Sequence, residues 1–128
     1  MYVIRLNSDG SMDNTFGNNG KVVVNNIAGG NDDDYGRSIY VDSNGKVYVT
    51  GDSDNVSDDD DMYVIRLNSD GSMDNTFGNN GKVVVNNIAG GNGKDYGRSI
   101  YVDSNGKVYV TGYSWNGSNY DMYVIEIE

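Results

Sequence analysis

Cysteine, histidine and proline are all absent from this 128-residue sequence. Without cysteine there is no disulfide framework, no thiolate nucleophile and no cysteine-held zinc. Without histidine there is no Ser–His–Asp triad and no histidine-ligated metal. No apolar run approaches the roughly 18 residues that a membrane-spanning helix needs. The sequence also lacks a G-x-S-x-G elbow, a Walker loop and a dinucleotide fingerprint. Nearly all of the acid is aspartate rather than glutamate, and the net charge of −10 would repel nucleic acid and anionic membranes. These absences remove most common catalytic and cofactor chemistries, and the expectation is a protein that is not an enzyme and carries no cofactor.

What is present points to β-structure. Apolar residues make up 37 %, with 11 tyrosines and several Val/Ile runs, which argues against disorder. The 18 glycines lie among many Asn and Asp residues, a composition suited to short strands joined by tight turns. Helix signals are poor, because β-branched and aromatic residues dominate and Gly or Asn recurs too often.

The chain repeats itself. Met1–Asn31 is identical to Met62–Asn92, and Asp34–Gly51 is identical to Asp95–Gly112; only Asp32 and Asp33 differ, replaced by Gly93 and Lys94. Met122–Ile125 then begins a third copy. A period of about 60 residues marks a stacked or radial architecture. Each repeat holds four strand signals, Met1–Asn7, Lys21–Ile27, Arg37–Asp42 and Lys46–Thr50, the last two flanking the hairpin signal Asp42-Ser43-Asn44-Gly45. Val22-Val23-Val24, Ile39-Tyr40-Val41 and Val47-Tyr48-Val49 are continuous apolar runs, as expected of strands covered on both faces. Such strands suit sheets packed between neighbouring sheets, and four-stranded antiparallel sheets arranged radially are propeller blades. A two-sheet β-sandwich is the competing architecture.

The stretch from Asn92 to Ser114, with Gly93-Lys94-Asp95-Tyr96-Gly97 leading into Ile100-Tyr101-Val102-Asp103 and Val108-Tyr109-Val110-Thr111-Gly112, resembles the SBBP β-propeller repeat. Tyr63–Val85, with Arg66-Leu67, Asp70-Gly71, Asp74 and Phe77-Gly78, is similar to the related delta repeat. Together the two patterns cover almost the whole chain. The resemblance implies bacterial, mostly extracellular parents with no single assigned activity. No signal peptide is visible, and the first residue already lies inside a repeat.

The expected organisation is therefore a blade unit at 1–61, a second at 62–121, and the start of a third repeat at 122–128 as a closing strand. Two blades cannot close a ring, which takes about four to eight. The expected partner is the chain itself, three or four copies giving six or eight blades. Nine strand signals are present where two four-stranded blades need only eight, so either 1–7 or 122–128 is surplus. Arg5 and Arg66 become Glu126 in the third copy.

Candidate sites are few. The acidic stretch Asp52–Asp61 is a candidate for calcium, although a solvated linker explains it more simply. An EF-hand register fails: with the loop glycine at Gly10, Arg5 falls first and Phe16 twelfth; at Gly45, Tyr40 falls first and Gly51 twelfth. Tyr113, Trp115 and Tyr120 form an aromatic group unique to one copy, suited to stacking on a sugar or, more commonly, to packing between sheets. Phe16 and Phe77 read as anchors for the long connections. Tyr40, Tyr48, Tyr101 and Tyr109 read as packing residues with the hydroxyl reaching solvent. Arg37 and Arg98 are expected to pair with Asp34 and Asp95 or with a turn aspartate. Asn55 and Asn116 each open a glycosylation triplet, a pattern common by chance. The functional expectation is a self-assembling scaffold or adhesion module, with a carbohydrate- or calcium-binding module as the alternative.

Overall fold

The computed structural model describes residues 1–57 and 59–127. Within them the chain is all-β, with no helix and nine antiparallel strands. These are β1 (Tyr2–Ile4), β2 (Lys21–Val23), β3 (Asp34–Val41), β4 (Val47–Asp54), β5 (Asp60–Leu67), β6 (Lys82–Val85), β7 (Asp95–Val102), β8 (Val108–Trp115) and β9 (Tyr120–Ile127). They form three open sheets: β1-β2, then β3-β4-β5-β6, then β7-β8-β9.

Nine strands match the sequence reading, but their grouping differs from two four-stranded sheets plus one spare. One sheet has four strands, and two incomplete sheets flank it. The reason is phase. The segment that opens each sequence repeat, Met-Tyr-Val-Ile, is the third strand of a sheet, not the first. In β5 it pairs upstream with β4, as in Thr50 opposite Val64, and downstream with β6, as in Tyr63 opposite Val84. The 61/62 boundary of the sequence repeat therefore falls inside β5. The β4–β5 turn is tight, closed by the Asn55 amide on the Asp59 carbonyl at 2.8 Å.

Much of the stretch read as an acidic linker is this hairpin. Ser53 faces Asp61 and Asp54 faces Asp60 across the ladder, and Asp52 and Asp61 are buried. Asp58 lies outside the described residues.

Strand alternation builds two cores from one apolar run, because successive side chains point to opposite faces. Val47, Val49, Tyr63, Ile65 and Leu67 face the β1-β2 sheet and close over Val3, Phe16 and Ile27. Tyr48, Met62 and Val64 face the other way and meet Phe77, Ile100, Val102, Val108, Val110, Tyr123 and Ile127. Both phenylalanine anchors thus lie in cores, and Arg5 and Arg66 sit over their rings at 4.6 and 4.7 Å. Tyr48 is buried and does not reach solvent, in contrast to the exposed Tyr101.

Each larger sheet repeats one internal brace. Thr50 donates to the Tyr63 carbonyl, and the Tyr63 hydroxyl donates to the Tyr35 carbonyl at 2.9 Å. Thr111, Tyr123 and Tyr96 repeat this, the second bond at 2.8 Å. The tyrosine passes over Gly51 or Gly112, where a Cβ would lie 1.7 Å from the carbonyl oxygen of Tyr35 or Tyr96. Only glycine permits that approach.

Candidate functional site

The junction between the four- and three-stranded sheets shows what a complete contact between neighbouring repeats looks like. Tyr40 and Tyr101 meet edge to face at 5.8 Å, Tyr48 meets Phe77 at 6.2 Å, and Met62 and Val64 are fully covered. Asp52, only 1 % exposed, holds Arg37 of its own sheet through two bonds of 2.9 and 3.0 Å. Asp52 raises the Arg37 pKa above its ordinary value. Arg98 of the next sheet lies 3.9 Å from the same carboxylate. Lys94 ties to Asp60 at 2.8 Å across the junction.

The expected pairing of Arg37 and Arg98 with Asp34 and Asp95 does not form. Those aspartates accept backbone amides instead: Asp34 from Asn26 and Ile27, Asp95 from Asn87 and Ile88. They fix the bend after β2 and β6, while the arginines reach a cross-strand partner. In the second copy Asp52 is replaced by Tyr113, so Arg98 stacks 4.9 Å over that ring and donates to its hydroxyl.

The aromatic group forms as a set of rings that cover one another. Tyr113 and Trp115 each meet Tyr120, at 5.4 and 5.3 Å, and Tyr96 lies 4.8 Å from Tyr113. Trp115 also closes over Gly93, where a Cβ would lie 2.7 Å from the indole. The rings pack against one another within the sheet, and Tyr120 remains 47 % exposed.

Among the described residues no three acidic side chains group as metal ligands. Asp60 is engaged by Lys94 and Asp61 by Asn55. Burial, with Asp95, Asp59 and Asp60 nearby, pushes the Asp61 pKa up. A polar cavity of about 440 Å³ lies between Asp32, Asp33, Asp54, Tyr35, Asp60 and Lys94.

The most distinctive features are the two faces that have no neighbour. On one side, Ile39 and Val41 of β3 are exposed, at 54 and 55 %, beside a cleft of about 240 Å³ shared with Tyr2, Val3, Ile4 and Val49. Their counterparts Ile100 and Val102, covered at the internal junction, are 7 and 2 % exposed. On the other side, Met122 and Val124 of β9 are 76 and 63 % exposed, whereas Met62 and Val64 are both 0 %. Identical residues are thus buried in the interior and bare at the two ends. The exchange of neighbours, not of sequence, makes the difference.

Two family models match the chain. One, a β-propeller repeat (SBBP), covers residues 16–56 and 77–121. The other, a β-propeller domain of unknown function (DUF5122), covers residues 1–16 and 43–77. The chain belongs to the SBBP β-propeller repeat family. No curated protein matches it. Propeller membership agrees with the face-to-face packing of sheets. Uncovered faces are what two blades that cannot close a ring lead one to expect; the residues on them were not legible in the sequence, and comparing the burial of the identical Met62 and Met122 finds them.

Proposed function

We propose that this chain is a non-catalytic β-propeller segment that assembles with copies of itself into a ring, as a scaffold or adhesion module. The observation that carries the reading is the pair of bare faces. The β3 face that exposes Ile39 and Val41 is equivalent to the β7 face that Tyr40 and Tyr48 cover internally. The β9 face that exposes Met122 and Val124 is equivalent to the one that the internal junction buries at Met62 and Val64. One end of the chain is therefore complementary to the other. Such a head-to-tail contact repeats until rotation closes it. Exposed apolar faces of this kind mark association surfaces. With two blades per chain, rings of six or eight blades take three or four chains.

Light scattering coupled to size exclusion tests this directly. The expected mass is three or four times the 13.9 kDa of one chain. A 13.9 kDa species at micromolar concentration, with protected amides throughout, would sink the proposal.

A further inference from the structure

Resting on that assembly reading, we propose that β1 is a placeholder, and that on assembly Met122–Ile125 of a second copy displaces Met1–Ile4 from β2. The completed blade is then β7-β8-β9 of one chain joined to β2 of the next.

The three copies of Met-Tyr-Val-Ile form a graded series. In β5 the segment is paired on both sides, and its tyrosine is braced on the Tyr35 carbonyl. In β9 it is paired on one side with β8, its tyrosine is braced on the Tyr96 carbonyl, and its outer edge is open. In β1 it is paired only with β2, and Tyr2 is 72 % exposed. β9 lacks a strand like β2, and β2 carries the worst-supported of the three identical partners. An open strand edge recruits pairing of this kind.

The register is already set. At the internal site Met62, Tyr63, Val64 and Ile65 face Val85, Val84, Val83 and Lys82. The equivalent exchange places Met122, Tyr123, Val124 and Ile125 opposite Val24, Val23, Val22 and Lys21. The residues and backbone bonds on β2 are those now used by β1, where Tyr2 faces Val23 and Ile4 faces Lys21. The ladder lost therefore matches the ladder formed. The gain is elsewhere: the incoming strand brings β7 and β8 with it, and their outer face covers Ile39 and Val41. It also substitutes the braced Tyr123 for the unbraced Tyr2. Identity between the competing strands ends at Arg5 against Glu126, immediately past the last β1 residue. Arg5 keeps its 2.8 Å bond to Asp13 and its bond to the Ser69 carbonyl, so the exchange stops at Ile4. The exchange also resolves the strand count. Nine strands per chain become eight in sheets, two blades of four, with β1 the surplus strand.

The absence of cysteine makes the test clean. Met1 and Val24 exchange both backbone bonds, at 2.8 and 3.0 Å, so Ile4 and Lys21 form a non-hydrogen-bonded pair three positions on. Such pairs have Cα atoms about 4.5 Å apart, within disulfide range. In the full chain, K21C/I125C should oxidise to chain-to-chain disulfides and I4C/K21C should stay reduced while the protein is assembled. Mixing the single variants K21C and I125C should give a covalent dimer, which guards against misfolding of the double variant. Intrachain closure of I4C/K21C in a protein whose mass stays three- or fourfold would overturn the exchange and leave ring assembly standing. A monomeric mass for the unmodified chain would overturn both.

Discussion

Met62 and Met122 occupy the same place in identical segments, and only one is covered. Met62 is fully buried between the two larger sheets, against Phe77 and the β7–β8 valines. Truncating such a methionine to alanine costs about 2–5 kcal/mol, from lost transfer energy and the cavity left behind. Met122 keeps 76 % of its surface in water, so in a single chain Met122→Ala removes little: about 0.4–0.7 kcal/mol of a side-chain burial worth roughly 1.5–3 kcal/mol. In the proposed assembly the rest of that energy appears when the β9 face meets the β3 face of a neighbour. Each junction then weakens by about 1.1–2.3 kcal/mol, or roughly 6- to 50-fold in its dissociation constant. Urea unfolding at a concentration where the chain is monomeric measures the first effect, and sedimentation velocity measures the second. Met62→Ala should shift the urea midpoint strongly, and Met122→Ala should leave it in place while lowering the assembled fraction. Equal destabilisation of the dilute chain by both variants would refute the reasoning, because Met122 would then be covered without a partner. An unchanged assembled fraction for Met122→Ala would refute the assigned docking face.

A second pair of identical residues gives a second internal control. Asp74 is buried with Lys46, Arg66 and Thr76 around it, whereas Asp13 is about one-fifth exposed and holds Arg5 and Thr15. Asp74→Asn should cost about 2 kcal/mol by leaving the half-buried Lys46 and Arg66 without their shared carboxylate, and Asp13→Asn clearly less, as read by thermal unfolding. Hydrogen bonds from Lys46 and Thr76 hold the Asp74 pKa well below the usual carboxylate range. Its stabilisation is therefore fully present above the unfolded value of about 3.9 and is lost as pH falls below it, so an acid titration of stability should lose its steepest component in Asp74→Asn. Asp61 has the opposite sign: burial raises its pKa, so its charge opposes folding at neutral pH. Asp61→Asn should raise the melting temperature by a few degrees while keeping the Asn55 contact, and a drop would mean that the charge itself is needed.

The strands were legible because their chemistry is local. Val47-Tyr48-Val49 reads as a strand covered on both faces, and its alternate residues do enter the two cores. Turn chemistry was legible at Asp42–Gly45, although Gly45 alone takes the positive φ, at 78°, and the Asp42 carboxylate caps the turn through the Asn44 and Lys46 amides. The ends of β4 and β5 were not legible. Asp52, Asp54, Asp60 and Asp61 disfavour a strand by propensity. They are tolerated because Arg37 and Lys94 reach Asp52 and Asp60 and Asn55 reaches Asp61. Those partners lie 15 and 34 residues away for the two ion pairs, and no local pattern exposes them. The partner of Arg37 depends in addition on the register shift between Gly36 and Ser38.

Phase was illegible for a deeper reason. A perfect repeat has a period but no origin: any cut through it gives units of equal length and identical content. The origin is set by which turns are short enough to close a hairpin, and the tight Asn55–Asp59 turn joins β4 to β5 across the place where the sequence unit begins. A sheet that spans the unit boundary leaves two strands over at one end and three at the other. Those remainders add to five, one more than a blade, and the excess is a duplicate of Met-Tyr-Val-Ile. If β1 is removed by deleting Met1–Ile4, the remainders add to four. The shortened chain should therefore assemble at least as tightly as the full one, although as a monomer it loses the β1 cover over the core that holds Phe16 and Val22. Sedimentation of the two chains side by side decides the point: tighter assembly of the shortened chain confirms that β1 competes with β9, and failure to assemble shows that β1 is part of the junction.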